Sequence, residues 1–391
     1  MKQKISVFDF KLFLVSCMVT FFLGVIVGIP VPADSADTIK IGAVAPYTGS
    51  NAYTGTMLLN GYKLAVEEIN KAGGVIGRQL DLHYEDGKCI PIEGVNAARK
   101  LITVDKVPVI LGESCSSVTL ALMPVCKEEG VPLVNASSSN PKITEQSGIG
   151  GNEWVFRTCP DDSSYAKVMG KFMLDQRVKT VCIYGTDDDF GRGASKEVKD
   201  VFEGGGGKVF SVNFFSRGQP DHSMALTKMK GENPEALFFV CTMDDGVTII
   251  KQLRELGIKQ TIYSRGPLLS ESVFKLLGKL IEGVYGTDAY FYTLDNPANI
   301  KFREAFKKKF GEYPTYVGFT GYESVFVVKQ AIEMTGKWDP VSIRDSLKKV
   351  IYKSITGGQI RFDDHNQAHN KIYIARAQGG QVVIVGSYDA R

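Results

Sequence analysis

Short β-branched runs alternate with stretches of helical period from residue 38 onward, and this alternation constrains the fold more than any other feature of the chain. It is how a parallel sheet with crossover helices reads. Ile39 to Val44 forms the first strand, and Met57 to Lys71 has helical spacing that stops at Ala72-Gly73-Gly74. Gln79 to Tyr84, Val109 to Leu111 and Val131 to Val134 read as further strands, with helices at Val95 to Val104 and Leu120 to Glu129 between them. That is one doubly wound half. The pattern restarts after Arg157, with helices at Ser164–Gln176, Ala194–Phe202, Ser223–Lys230 and Gly246–Leu256. Strands at Thr180–Tyr184, Lys208–Phe214, Ala236–Val240 and Thr261–Tyr263 separate them. Gly204 to Gly207 reads as a helix stop before a strand. Two such halves in series put a crevice between them.

A third stretch begins at Glu282-Gly283-Val284 and carries a basic amphipathic helix (Ile300 to Phe310) and a long apolar one (Tyr322 to Met334). It is expected to end in β-hairpins: Gly358 to Phe362, a polar turn at Asp363 to Asn370, then Lys371 to Ala375 and Gln381 to Val385. A terminal segment of that length returns to the two halves, so the chain crosses between them several times. The fold class expected is α/β, in two Rossmann-like lobes. The divisions are 38–160 with 288–356 for the first lobe and 161–287 with 357–391 for the second.

With 391 residues the chain exceeds what one core supports, which agrees with two lobes. A hydrophobic content of 44% and a charged content of 23% are ordinary for a globular protein, and a net charge of +3 leaves no footprint for nucleic acid. Lys2, Lys4 and Lys11 precede an uncharged run from Leu12 to Ile29, the pattern of an export signal spanning 1–33, with small residues at Val31-Pro32-Ala33 for cleavage. Two alternatives stay open: lipidation at Cys17, although the apolar run before it is short, and retention as an N-terminal anchor. Without Cys17 the cysteines are 89, 115, 126, 159, 182 and 241, and none are spaced for zinc.

An enzyme finds little support. Gly112-Glu113-Ser114-Cys115-Ser116 starts like a nucleophile elbow but lacks the final glycine, and Gly206-Gly207-Lys208 lacks the spacing of a phosphate loop. No metal-binding H-E-x-x-H occurs, and His365 and His369 fall in a polar turn. No cofactor and no metal are expected. Asp187-Asp188-Asp189 lacks the glycine and distal glutamate of a calcium loop and reads as a solvated surface turn.

From Ile39 to the final hairpins the sequence resembles the leucine/isoleucine/valine-binding family of periplasmic substrate-binding proteins, the type I binding-protein fold. The densest match is Ile39-Lys40-Ile41-Gly42, Thr48-Gly49, Ala52-Tyr53-Thr54-Gly55 and the unbroken string from Gly61 to Arg78. The resemblance implies three crossovers acting as a hinge and a ligand held by lobe closure. It implies a monomer that delivers a small carboxylate or amino-acid ligand to the permease subunits of an ABC importer outside the cytoplasm. A sensory role, presenting the ligand to a separate receptor, is the alternative, since the same fold serves receptors.

The resemblance also places site residues. In Gly112 to Ser117, feeding a helix N-terminus, Ser116 matches the serine that holds the ligand carboxylate, and Ser137 and Ser139 match a second contribution from the next loop. The same serines could be ordinary caps. Tyr53 and Thr54 fall over the ligand side chain, Phe190 matches a family tyrosine, and Thr242 replaces a family aromatic. A Cys89–Cys115 disulfide is implied. The departure lies at Ser264-Arg265-Gly266-Pro267, where the acid that pairs with a ligand ammonium is missing. Either Asp244 or Asp245 replaces it and the ligand is an amino acid, or Arg265 faces the cleft and the ligand is an amine-free acid. Arg265 as a solvent-facing loop residue is the plain alternative.

Overall fold

The computed structural model describes residues 38–389, so the export signal, the cleavage site and the alternatives at Cys17 lie outside the described residues. Two sheets organise the chain. The first has five parallel strands in the order β2-β1-β3-β4-β5: β1 (Ile39–Ala45), β2 (Leu80–Asp86), β3 (Ile110–Gly112), β4 (Leu133–Asn135) and β5 (Val155–Arg157). The second has seven strands ordered β14-β13-β10-β9-β8-β6-β7. Five of them are parallel: β6 (Thr180–Thr186), β7 (Lys208–Phe215), β8 (Ala236–Val240), β9 (Thr261–Arg265) and β10 (Tyr285–Asp288). The antiparallel hairpin β13 (Lys371–Gln378) and β14 (Gln381–Asp389) closes its edge.

Sequence explains the position of each strand. β8 is an unbroken apolar run, Ala-Leu-Phe-Phe-Val, buried at every residue because helices cover both faces of a central parallel strand. β14 alternates in burial along its length and lies at the edge, with one face in water. In each sheet the chain runs outward from a central strand, returns, and runs outward the other way. The loops following β1 and β3, and those following β6 and β8, therefore diverge at the strands' carboxyl ends, where an open α/β sheet forms its crevice.

The long helix Tyr316–Thr335 packs against Ala52–Lys71. Glycine permits this crossing: a Cβ at Gly61 would stand 2.2 Å from the Gly318 carbonyl oxygen, and one at Gly321 would stand 2.7 Å from that of Leu58. The close approach sets the first residue of the long helix, Tyr316, at the crevice.

Several helices start earlier than their apolar periodicity indicates. Ala52–Lys71 starts before Met57, Ser116–Glu129 before Leu120 and Asp189–Gly204 before Ala194. The first turns of Ala52–Lys71 and Asp189–Gly204 reach the crevice through Thr54 and Phe190. β5 and the helix Glu271–Leu277 have no counterpart in the sequence reading. The expected hairpin between Gly358–Phe362 and Lys371–Ala375 is corrected: β12 (Gln359–Ile360) pairs with β11 (Tyr352–Lys353), and β13 pairs with β14. The turn between them is a crossover held by the first sheet. Arg157 N–H donates to the Asn366 carbonyl at 2.9 Å, Ala368 N–H donates to that of Arg157 at 2.9 Å, and Arg157 Nε donates to Gln367 Oε1 at 2.5 Å.

Candidate ligand-binding cleft

Loops from both sheets meet around one narrow cavity. Its wall comprises Asn51, Thr54, Ser114, Ser137, Ser139 and Tyr316 from the first lobe, and Phe190, Arg217, Cys241, Thr242, Gly266 and Pro267 from the second. Nearly every one follows the carboxyl end of a strand or opens a helix. Asn51 and Thr242 are the N-caps of Ala52–Lys71 and Met243–Glu255, Phe190 lies in the first turn of Asp189–Gly204, and Tyr316 begins the long helix. Helix N-termini present N–H groups and positive dipole ends, an arrangement suited to an anion. The cavity holds about 20 Å³, close to a single water. Larger hollows lie elsewhere, such as the open groove between Lys40, Lys106 and Trp338 at the amino ends of β1 and β3. Unbonded buried polar atoms of Asn51, Ser114 and Arg217 belong to residues lining the narrow cavity.

The sequence-predicted residues separate into two groups. Thr54, Ser137, Ser139, Phe190 and Thr242 share the wall. Ser137 Oγ donates to Tyr316 Oη at 3.3 Å, and Ser139 Oγ accepts from Arg265 Nη2 at 3.2 Å. Ser116 is turned away: it opens the helix Ser116–Glu129, and its Oγ accepts from the Asn140 N–H at 3.3 Å. Ser114, two residues earlier, takes its place on the wall with an unbonded Oγ. Tyr53 is off the wall as well, its hydroxyl donating to Glu312 at 2.9 Å.

Arg265 is neither solvent-facing nor a wall residue. It is 1% exposed and clasped by Asp162 at 3.2 Å and Asp288 at 3.7 Å, with its guanidinium 3.8 Å from the Tyr165 ring centre. Burial pushes the Asp288 carboxyl up to about 7, against the pull of Arg265. Asp245 is already engaged, accepting from the Gly218 N–H and from Thr242 Oγ1, both at 2.8 Å, while Asp244 is exposed. At Gly266, one of the two positions, with Arg265, where the ammonium-pairing acid would align, φ is 123° and a Cβ would stand 2.1 Å from the Cys241 carbonyl oxygen, so no side chain fits.

Asp188 is not a solvated turn residue. It caps Asp189–Gly204, accepting from the Gly191 N–H at 2.9 Å, and its other oxygen receives Arg217 Nε at 2.6 Å and Nη2 at 2.5 Å. Arg217, in the loop after edge strand β7, went unnoticed in the sequence because one arginine in Ser-Arg-Gly-Gln-Pro carries no motif. Cys89 and Cys115 are joined by a disulfide with Cα atoms 5.6 Å apart, tying the loop after β2 to the one that bears Ser114. Cys126, Cys159, Cys182 and Cys241 are buried free thiols, and no cluster of metal-ligating side chains occurs among the described residues.

Two lobes of parallel sheet around a cleft at their strand ends match a known family over residues 38–381, nearly the whole described chain. The chain belongs to the periplasmic binding protein family. Members of this family are solute-binding proteins rather than enzymes. The leucine-, isoleucine-, valine-, threonine- and alanine-binding protein of Pseudomonas aeruginosa is 29% identical over 86% of this chain and 88% of its own. Among solved structures, a branched-chain amino acid transporter substrate-binding protein of Streptococcus pneumoniae in complex with isoleucine matches at a TM-score of 0.82. It is 26% identical, over 90% of this chain and 99% of its own. An ABC transporter solute-binding protein of Rhodopseudomonas palustris in complex with 3,4-dihydroxybenzoic acid matches at 0.81, with 27% identity over 90% and 98% of the two chains. The periplasmic binding proteins similar to this one therefore include both amino-acid and amine-free acid binders.

Proposed function

We propose that this chain is an exported solute-binding protein that captures a small amine-free carboxylic acid and delivers it to the permease of an ABC importer. The observation that carries this reading is the composition of the cavity wall. It holds one cationic side chain, Arg217, with five hydroxyl-bearing Ser and Thr residues and Tyr316, and no aspartate or glutamate. A buried ammonium without a partner is unfavourable by several kcal/mol, whereas a carboxylate meets a guanidinium, hydroxyls and helix N-termini. Phe190, Pro267 and Tyr316 supply apolar surface for the rest of the ligand. The lobes, taken as 38–160 with 288–356 and 161–287 with 357–391, swing about the crossovers, and the closed form is what the permease engages. Transporter and amino-acid-binding names among the relatives favour transport over sensing.

A thermal-shift screen of the 38–391 protein tests the reading, because a ligand that binds only the folded state raises its melting temperature. Stabilisation by 4-hydroxybenzoate, 4-methylpentanoate or a similar acid, with none by leucine or valine, is expected. Stabilisation by leucine or valine alone would overturn it.

A further inference from the structure

We infer that the ligand's carboxylate is the latch of the closed cleft, bridging Arg217 Nη1 on the second lobe and Ser114 Oγ on the first. The inference rests on the carboxylate reading above and adds which atoms hold the anion. Both atoms line the one cavity, both are buried, and neither has a hydrogen-bond partner in a protein that satisfies most of its buried polar groups. A buried guanidinium nitrogen and a buried hydroxyl are unfavourable when unbonded, so a group that accepts from both is held strongly.

Arg217 is also preset for the task. Asp188 binds its Nε and Nη2 and is itself fixed by the Gly191 N–H and by Thr186 Oγ1 at 3.1 Å, which leaves Nη1 as the remaining face of the fork. The two lobes do approach each other here: a Cβ on Gly218 would lie 3.4 Å from Ser50 Cβ. The Arg217 charge also reaches the buried Glu113 beside Ser114, opposing the rise of its pKa. With one donor on each lobe, neither lobe alone offers the full site, and the anion bonds to both. A ligand whose carboxylate is replaced by a neutral amide then loses the charge-assisted bond to Arg217 and with it the preference for the closed state.

Calorimetric titration with 4-hydroxybenzoate, 4-methylpentanoate and the neutral 4-hydroxybenzamide, paired with small-angle scattering to read closure, decides the matter. In the wild-type protein the acids bind and shrink the radius of gyration, and the amide binds more weakly without doing so. Arg217→Gln weakens acid binding on the order of 10- to 100-fold and Ser114→Ala roughly 5- to 10-fold. Both weaken amide binding less than acid binding, because the amide carbonyl carries no charge for Arg217 to pair, so the acid-to-amide ratio falls, which a loss of folding alone does not produce. Acids that bind both variants as tightly as the wild type would overturn the latch while leaving the proposed function intact. If only leucine binds, the amine-free reading fails and leucine serves as the probe for the same two variants. If no probe binds the wild type, the carboxylate reading falls and the latch with it.

Discussion

Arg265 Nε donates to Asp162 Oδ1 at 3.2 Å, joining the end of strand β9 to the helix that follows the first crossover. Both side chains are almost fully buried, and Asp288, at the end of β10 where the next crossover begins, completes the cluster. Removing one member of such a group leaves buried charge uncompensated. Arg265→Ala should lower stability by about 3–5 kcal/mol in urea denaturation of the ligand-free protein. A variant with wild-type stability and weakened ligand binding would show instead that Arg265 serves the ligand.

Glu113 offers a pH test. Burial pushes its carboxyl from the ordinary 4.5 up to about 8, against the lowering effect of the Cys115 N–H that donates to one of its oxygens and of the Arg217 charge. A carboxyl raised on folding contributes stability that is fully present below its unfolded value and is lost as pH rises through the folded one. Melting temperature should therefore fall between about pH 5 and pH 8, and Glu113→Gln should flatten that decline and be the more stable protein at pH 8. An unchanged pH profile in the variant would assign the buried carboxyl no part in it.

The disulfide closes a loop with a sequence separation of 26. Loop-closure entropy for that span is worth about 3.5 kcal/mol. Cys115→Ser should lose roughly that amount in urea denaturation, and a reductant should bring the wild-type protein to the same midpoint.

At the crossing of the two long helices, Gly61→Val would drive a side chain into the Gly318 backbone. A loss of about 1–3 kcal/mol or more is expected from such overpacking, read as a lower melting temperature. Ligand affinity should fall as well, since the crossing sets Tyr316. Retained affinity in a folded variant would show that Tyr316 is placed by other contacts.

The alternation of strand and helix, the restart after Arg157 and the strand β8 were legible in the residues, because burial on both faces leaves an unbroken apolar run. The site was half legible. Thr54, Ser137, Ser139, Phe190 and Thr242 came from resemblance and reached the wall, while Arg217, Ser114, Asn51 and Tyr316 did not come at all. Helix starts were read too late for the same reason: the first turns of Ala52–Lys71 and Asp189–Gly204 point into the cleft, so the periodicity that marks a core-facing helix begins after them.

Local chemistry, then, is what the sequence by itself determined: which runs form strands, which form helices, and that an ammonium partner is missing near Arg265. Only the tertiary structure decided where those groups went. Arg265 is drawn into a buried cluster because Asp162 and Asp288, 103 and 23 residues away along the chain, stand beside it and are buried with it. Ser116 turns toward Asn140 while Ser114 turns into the cavity, since one is the first residue of a helix and the other is still in the loop. Arg217 becomes the cation of the cleft because an edge strand delivers it opposite a loop more than a hundred residues earlier, a juxtaposition that no local pattern encodes.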